Sequence, residues 1–228
     1  MTHKLTALLA LPLFSAGVFA ASPDARIPFD GSAAIFGPDG KEIAQCTVSA
    51  PEYVDGVSGK ALNAQTPVRL PEFPGFEKRE GAVSFFFRPD WEMNDGRSHR
   101  LFEAGRFLSD FYLYFVKTKS GRLELSVCAP EQLQVIVDDV LNAKQWVHLA
   151  FSWSIPKGEA VIYINGKEAG RKTLESWKKA DYVSDAPWNI LLGTANAPAD
   201  GAYDSLKLYN KQLSGGEVAV DACAKSKK

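Results

Sequence analysis

Trp146-Val147-His148-Leu149-Ala150-Phe151-Ser152-Trp153 leads, through a Pro- and Gly-containing link, into Ala160-Val161-Ile162-Tyr163-Ile164 and then Asn165-Gly166-Lys167. In the first run Val147, Leu149, Phe151 and Trp153 alternate with Trp146, His148, Ala150 and Ser152. A period of two puts alternate side chains on opposite faces of a sheet, so the run predicts a strand, with Trp146 and Trp153 on opposite sides. Asn-Gly tolerates positive φ at both central positions of a type I′ turn, so Asn165-Gly166 predicts a hairpin turn, not a site. Working outward, the same pattern recurs at residues 82–88 (AVSFFFR), 111–117 (FYLYFVK), 122–127 (RLELSV), 134–138 (QVIVD), 189–193 (NILLG) and 203–209 (YDSLKLY). Lys119-Ser120-Gly121 supplies a second hairpin. Residues 213–224 alone suggest a short helix, and Gly215-Gly216 argues against it. Eight or more short strands without intervening helices define a single all-β domain, an antiparallel sandwich or barrel.

The composition bounds the function. The 228 residues include 26 Lys+Arg and 27 Asp+Glu, with 46% apolar residues and a formal net charge of −1. That is a globular composition, and the charge balance excludes the basic excess of a nucleic-acid binder. Residues 1–20 (MTHKLTALLALPLFSAGVFA) pair a basic start with a short apolar stretch and small residues at the end, which predicts a signal peptide. The apolar stretch is shorter than the ~20 residues a membrane span requires. The chain is therefore expected to be exported to the periplasm, the cell surface or the medium, with a domain at 21–224, a solvated basic tail at 225–228 and no membrane span in the mature part. In such a compartment Cys46, Cys128 and Cys223 allow one bridge plus one free thiol, and their wide spacing lacks the grouping of a zinc site.

The motifs, taken in order, resemble those of laminin-G-like, concanavalin A-like jelly-roll domains. Asp55-Gly56-Val57-Ser58-Gly59-Lys60-Ala61-Leu62 is similar to that family's "G-x-x-G-K-A-L" start. Gly81-Ala82-Val83-Ser84-Phe85 with Arg88-Pro89-Asp90-Trp91 resembles its first long strand, and residues 146–153 its "W-x-H-x-A-x-x-W/Y" strand. Tyr163-Ile164-Asn165-Gly166-Lys167 matches its "Y-x-N-G-K" hairpin, and Ile190-Leu191-Leu192-Gly193 with residues 201–214 its closing segment. The resemblance covers about 27–220. It implies an antiparallel two-sheet jelly-roll sandwich with one concave sheet and the chain ends close together. Neighbouring ends favour a Cys46–Cys223 disulfide. Some members of the family hold a structural calcium, which makes Asp204 and Asp30 candidate ligands here, although Ser205 stands where the usual acidic residue follows; the alternative is that Asp204 hydrogen-bonds backbone amides and caps a turn. The resemblance names no ligand, since the fold carries lectins, adhesion modules, glycosidases and lyases.

Candidate chemistry is sparse. Sugars stack on exposed aromatics, and Trp177, Trp188, Trp91 and Tyr182 lie in or beside polar segments that suit a binding rim. A glycosidase needs two carboxylates flanking the scissile bond. No E-x-D-x-E run exists, and Glu124 has Arg122 and Ser126 at its same-face positions. His148 reads as a packed, hydrogen-bonded strand residue and His99 as a solvated loop residue. No catalytic residue is assigned. The reading is a secreted, non-catalytic domain that binds glycans or an extracellular or envelope protein. The alternatives are a polysaccharide-active enzyme with a site assembled from separate strands, and a structural envelope component.

Overall fold

The computed structural model describes residues 20–72, 77–138, 141–185 and 188–223. The signal-peptide reading, Ala20 apart, lies outside the described residues, as do Ala224 and the basic tail at 225–228.

In chain order the strands are β1 (Ala25–Ile27), β2 (Ala34–Phe36), β3 (Glu42–Gln45), β4 (Glu52–Asp55), β5 (Lys60–Ala64), β6 (Val68–Leu70), β7 (Glu80–Pro89), β8 (His99–Gly105), β9 (Tyr112–Lys117), β10 (Leu123–Cys128), β11 (Gln132–Val137), β12 (Val147–Ser154), β13 (Glu159–Ile164), β14 (Lys167–Thr173), β15 (Ile190–Leu192) and β16 (Gly201–Tyr209). A single helical turn, α1 (Glu175–Lys178), follows β14, and α2 (Gly215–Cys223) closes the described chain. The larger sheet runs β14-β13-β12-β7-β16-β1-β2-β3, with β5 also on β16 and β4 on β5. The smaller sheet runs β11-β10-β9-β8-β15-β6. Neighbouring strands pair antiparallel throughout. All eight runs read from alternation are strands. The Asn165-Gly166 turn has φ of 51° and 77°, the left-handed geometry that pair was expected to supply.

Alternation decides what lies between the sheets. Phe85 and Phe87 of β7 and Leu149, Phe151 and Trp153 of β12 face Phe102, Leu113, Phe115, Leu125 and Val127 of the smaller sheet, all buried. Phe151 joins the layers, with ring centroids 5.4 Å from Phe102 and 5.2 Å from Phe115. Each such side chain contributes about 1.5–3 kcal/mol by leaving water.

A second apolar cluster covers the other face of the larger sheet. There Leu213 and Val218, from the segment carrying α2, pack on Ala82, Ala150, Val161, Tyr163 and Tyr209. The expectation against a helix at 213–224 is corrected. Ser214 and Glu217 form a capping box: the Glu217 N–H bonds Ser214 Oγ at 3.3 Å, and Glu217 accepts the Ser214 N–H at 2.8 Å. The cap and the apolar seat outweigh the glycine pair.

The expected Cys46–Cys223 disulfide is also corrected, since all three cysteines are free. Cys46 belongs to the core between the sheets. Cys223 is exposed at the end of α2, across the larger sheet from it.

Candidate functional site

The outer face of the smaller sheet carries no helix among the described residues. Its side chains follow from register. Leu113 and Phe115 of β9 point inward, so Tyr112 and Tyr114 lie toward the other face with ring centroids 5.5 Å apart, Tyr114 partly exposed and Tyr112 covered to 8% exposure by its neighbours. Glu103 of β8 and Ser126 of β10 sit directly across from Tyr114 on either side. Arg100 and Glu124 flank the next outward position, Val116. On β11 the pattern Gln132-Leu133-Gln134-Val135-Ile136 alternates exposed with buried, placing both glutamines on this face.

Hydrogen bonds hold these groups in place. The Tyr112 hydroxyl donates to Glu103 Oε2 at 2.9 Å, and the Tyr114 hydroxyl to Glu124 Oε1 at 2.8 Å. The Arg100 guanidinium carbon lies 4.2 Å from the Tyr114 ring centre, a stacked cation–π pair. Arg100 Nε is 3.5 Å from Glu103 Oε2, but Nε and Nη1 are enclosed without a hydrogen-bond acceptor. Gln132 donates to Ser126 Oγ at 2.8 Å. At the end of the face Phe107, 69% exposed, sets its ring edgewise against Tyr112 at 5.7 Å. The face thus combines planar hydrogen-bonding groups with aromatic surface, the pairing that recognises vicinal hydroxyls and the C–H faces of sugar rings.

Two features weigh against acid–base chemistry here. Burial pushes both phenols up, and their hydrogen bonds to Glu103 and Glu124 push the same way, opposite to what a tyrosine base needs. Glu103 and Glu124 do come from separate strands to one face. Strand spacing puts their backbones roughly 12 Å apart, and Glu103 bonds Tyr112, the tyrosine farther from Glu124 in register.

The aromatics named as stacking candidates lie elsewhere, and this corrects that expectation. Trp177 (0% exposed), Trp188 (3%), Trp91 (6%) and Tyr182 (7%) are core residues. Trp177 donates to Glu131 O at 2.8 Å, Trp91 to Ala199 O at 2.7 Å and the Tyr182 hydroxyl to Asp110 O at 2.6 Å. Trp188 packs on Phe111 at 4.9 Å. Each pins a loop to the sandwich and offers no ring face to a ligand.

Asp30 and Asp204 do converge, on the loop at 56–60. Asp204 Oδ2 accepts the Ser58 N–H at 2.9 Å and Oδ1 the Ser205 hydroxyl at 2.8 Å, while Asp30 Oδ1 accepts the Lys60 N–H at 2.9 Å. A Cβ on Gly56 would meet Asp204 Oδ2, and one on Gly59 would meet Asp30 Oδ1, each at 2.5 Å. The two glycines are what let the carboxylates reach the backbone. Burial pushes the Asp204 carboxyl up against these bonds. Calcium requires a shell of oxygen ligands. Here the carboxylates face amide and hydroxyl donors, and no three His, Cys, Asp or Glu cluster among the described residues. The set does not fit a calcium site; it tethers a loop.

Two buried polar clusters escaped the sequence reading. His99 is not a solvated loop residue: it is buried at the start of β8, stacked on Trp91 at 4.7 Å and 2.7 Å from Asp95 Oδ2. Buried Lys117 also donates to Asp95. Burial raises the Asp95 carboxyl, but Lys117 and His99 outweigh it and hold the group well below its usual range. Beneath α2, Ser84 lies 2.9 Å from His148 Nε2 and donates to Asp221, which also accepts from Lys207 and Tyr209. This Ser, His and Asp grouping is no catalytic triad. Asp221 approaches the same histidine nitrogen as the serine, His148 Nδ1 has no partner, and the three residues are sealed from solvent.

Two clefts lie nearby. One of about 260 Å³ is lined by Arg26, Pro28, Ser58, Ser205 and Lys207. Another, of about 440 Å³, runs past Glu159, Arg171 and Glu217. Arg171 is matched there by Glu159 and Glu168 and Glu217 by Lys211, while the Lys157 ammonium bonds the Gln212 side-chain carbonyl.

Two antiparallel sheets, with a polar and aromatic outer face on one and a helix on the other, define a lectin-like jelly-roll domain. The chain belongs to the concanavalin A-like lectin/glucanases superfamily, whose profile matches residues 62–219. Comparison with curated protein sequences returned no match. Among solved structures, the chain is similar to domain 4 of AbnA, a GH43 extracellular arabinanase from Geobacillus stearothermophilus, in complex with arabinotriose. That likeness has a TM-score of 0.68 and 22% identity over 90% of this chain and 100% of that one. The ligand-binding domain of botulinum neurotoxin serotype D, in complex with N-acetylneuraminic acid, gives a TM-score of 0.65 and 12% identity over 90% of this chain and 51% of that one. A Trypanosoma rangeli sialidase gives 0.63 and 13% over 92% and 34%. At these identities the likeness establishes the fold. The chain spans about half of the toxin domain and a third of the sialidase.

Proposed function

We propose that this protein is a non-catalytic glycan-binding domain and that the outer face of the smaller sheet is its binding surface. The observation that carries the reading is the partly exposed Tyr114, held by Glu124 and covered by Arg100, with the exposed Phe107 ring at the end of the same face. The arabinotriose in the AbnA domain and the sialic acid in the toxin domain support a sugar as ligand. The apolar leader at 1–20 supports an exported protein.

A glycan array with the mature chain tests the proposal. The array is expected to retain at least one glycan, and Tyr114→Ala is expected to weaken it about tenfold through lost stacking and loss of the Arg100 platform. Retention of no glycan, or of the same glycan equally by the variant, overturns it. The enzymatic reading has one observation in its favour, the two carboxylates Glu103 and Glu124 on one face. It predicts release of reducing ends or unsaturated sugars from polysaccharides, abolished by Glu103→Gln; the proposal predicts no release.

A further inference from the structure

The opposite sheet carries a second, unassigned constellation. Trp146 directly precedes β12. Val147 points into the core, so Trp146 lies on the outer face of the larger sheet. The register pairs Val147 with Phe87 and His148 with Phe86, which puts Trp146 beside Arg88. The Arg88 guanidinium carbon lies 5.4 Å from the Trp146 ring centre. One step along, Phe86 and His148 meet edge to face at 5.1 Å.

Three observations set this place apart. Trp91, Trp153 and Trp177 are buried and donate their indole N–H to carbonyls, whereas Trp146 is half-buried and its N–H bonds nothing among the described residues. Arg88 forms no ion pair or hydrogen bond among those residues, and its Nε is enclosed without an acceptor. The acids nearby are already engaged: Asp55 with Lys60, Asp90 with Lys144 and Gln65, and Glu52 with the Asn63 amide.

Arg88 feels the Asp55 carboxylate only at a distance, and Asp55 is shared with Lys60; a half-buried guanidinium with no direct acceptor leaves N–H groups that an anion can take. A guanidinium lying over an aromatic ring presents its in-plane N–H edges, the geometry that grips a carboxylate through two hydrogen bonds. The Trp146 N–H adds a donor, and the half-exposed Phe86 adds apolar surface for a ring's C–H face. We propose that Arg88 and Trp146 form a binding site for a uronate residue of an acidic glycan, separate from the tyrosine face and independent of it.

The test is calorimetric titration of the full chain with oligogalacturonate and with a neutral galactose oligomer, each followed by tryptophan fluorescence. Uronate binding is expected, weakening as salt is raised. Arg88→Gln is expected to lose at least about tenfold in affinity, and Arg88→Lys to keep part of it. Trp146→Phe is expected to abolish the fluorescence change. Equal affinity for both oligomers, uronate binding unaffected by Arg88→Gln, or binding of an acidic peptide in place of uronate overturns the proposal. Arg88 points away from the core, so unfolding temperatures near that of the parent will show that both Arg88 variants remain folded.

Discussion

Replacing Asp221 by Asn probes the contact that fastens α2 to the larger sheet. Asp221 is buried and takes hydrogen bonds from Ser84 and Tyr209 and an ion pair from Lys207. Removing one member of a buried ion pair costs about 3–5 kcal/mol. The Lys207 side chain keeps 24% exposure, so water solvates part of the orphaned ammonium and the lower half of that range applies. For a chain of this size, ~3 kcal/mol lowers Tm by roughly 6–12 °C. The pH dependence follows from the same group. Burial raises the Asp221 carboxyl, but His148, Lys207 and Ser84 outweigh it, and the folded group sits well below its usual range. A depressed folded pKa contributes stability above the unfolded value of about 3.9 and loses it as pH falls through and below that value. Urea unfolding at neutral pH and at successively lower pH is the assay. The parent should exceed Asp221→Asn at pH 7, with the gap closing below about pH 4. Equal stabilities at pH 7, or a gap indifferent to pH, would refute the reasoning.

Other consequences are as specific. Gly56→Ala forces a methyl against Asp204 and the Lys60 backbone and is expected to cost about 1–3 kcal/mol in urea unfolding. Millimolar calcium or a chelator should leave Tm unchanged, because Asp30 and Asp204 serve amides; a calcium-dependent rise would contradict this. Reductant should leave Tm unchanged as well. Cys223 should alkylate readily at mildly alkaline pH, whereas burial pushes the Cys46 thiol up to about 12 and keeps it inert; mass spectrometry reads both.

Strands whose two faces differ in polarity were legible in the sequence, which is why all eight alternating runs reappear. Strands β1 to β6, of three to five residues, are too short to display a period; β15 is as short and is marked only by its continuous apolar run Ile190-Leu191-Leu192, and β14 (Lys167–Thr173) is a polar edge with no buried face to mark it. The helix α2 was misjudged because Gly215-Gly216 was weighed and the Ser214 to Glu217 cap was not. Residues 176–179 read as a polar loop, yet Trp177 turns inward from a single helical turn; polar neighbours say nothing of where a loop indole finds its acceptor. The proposed binding face did leave a trace. In FYLYFVK, Leu113 and Phe115 claim one side of β9, so Tyr112 and Tyr114 had to share the other. Alternation likewise set Trp146 opposite Trp153, and its partner Arg88 emerges only from the pairing of β7 with β12.

The most direct test of the central claim is to map a bound neutral oligosaccharide by backbone amide shifts in NMR. The account predicts that perturbations centre on Arg100, Glu103, Tyr112, Tyr114 and Glu124 of the smaller sheet and fade toward α2. Perturbations centred on the cleft between Arg26 and Ser205, or none on β8 to β10, would contradict it.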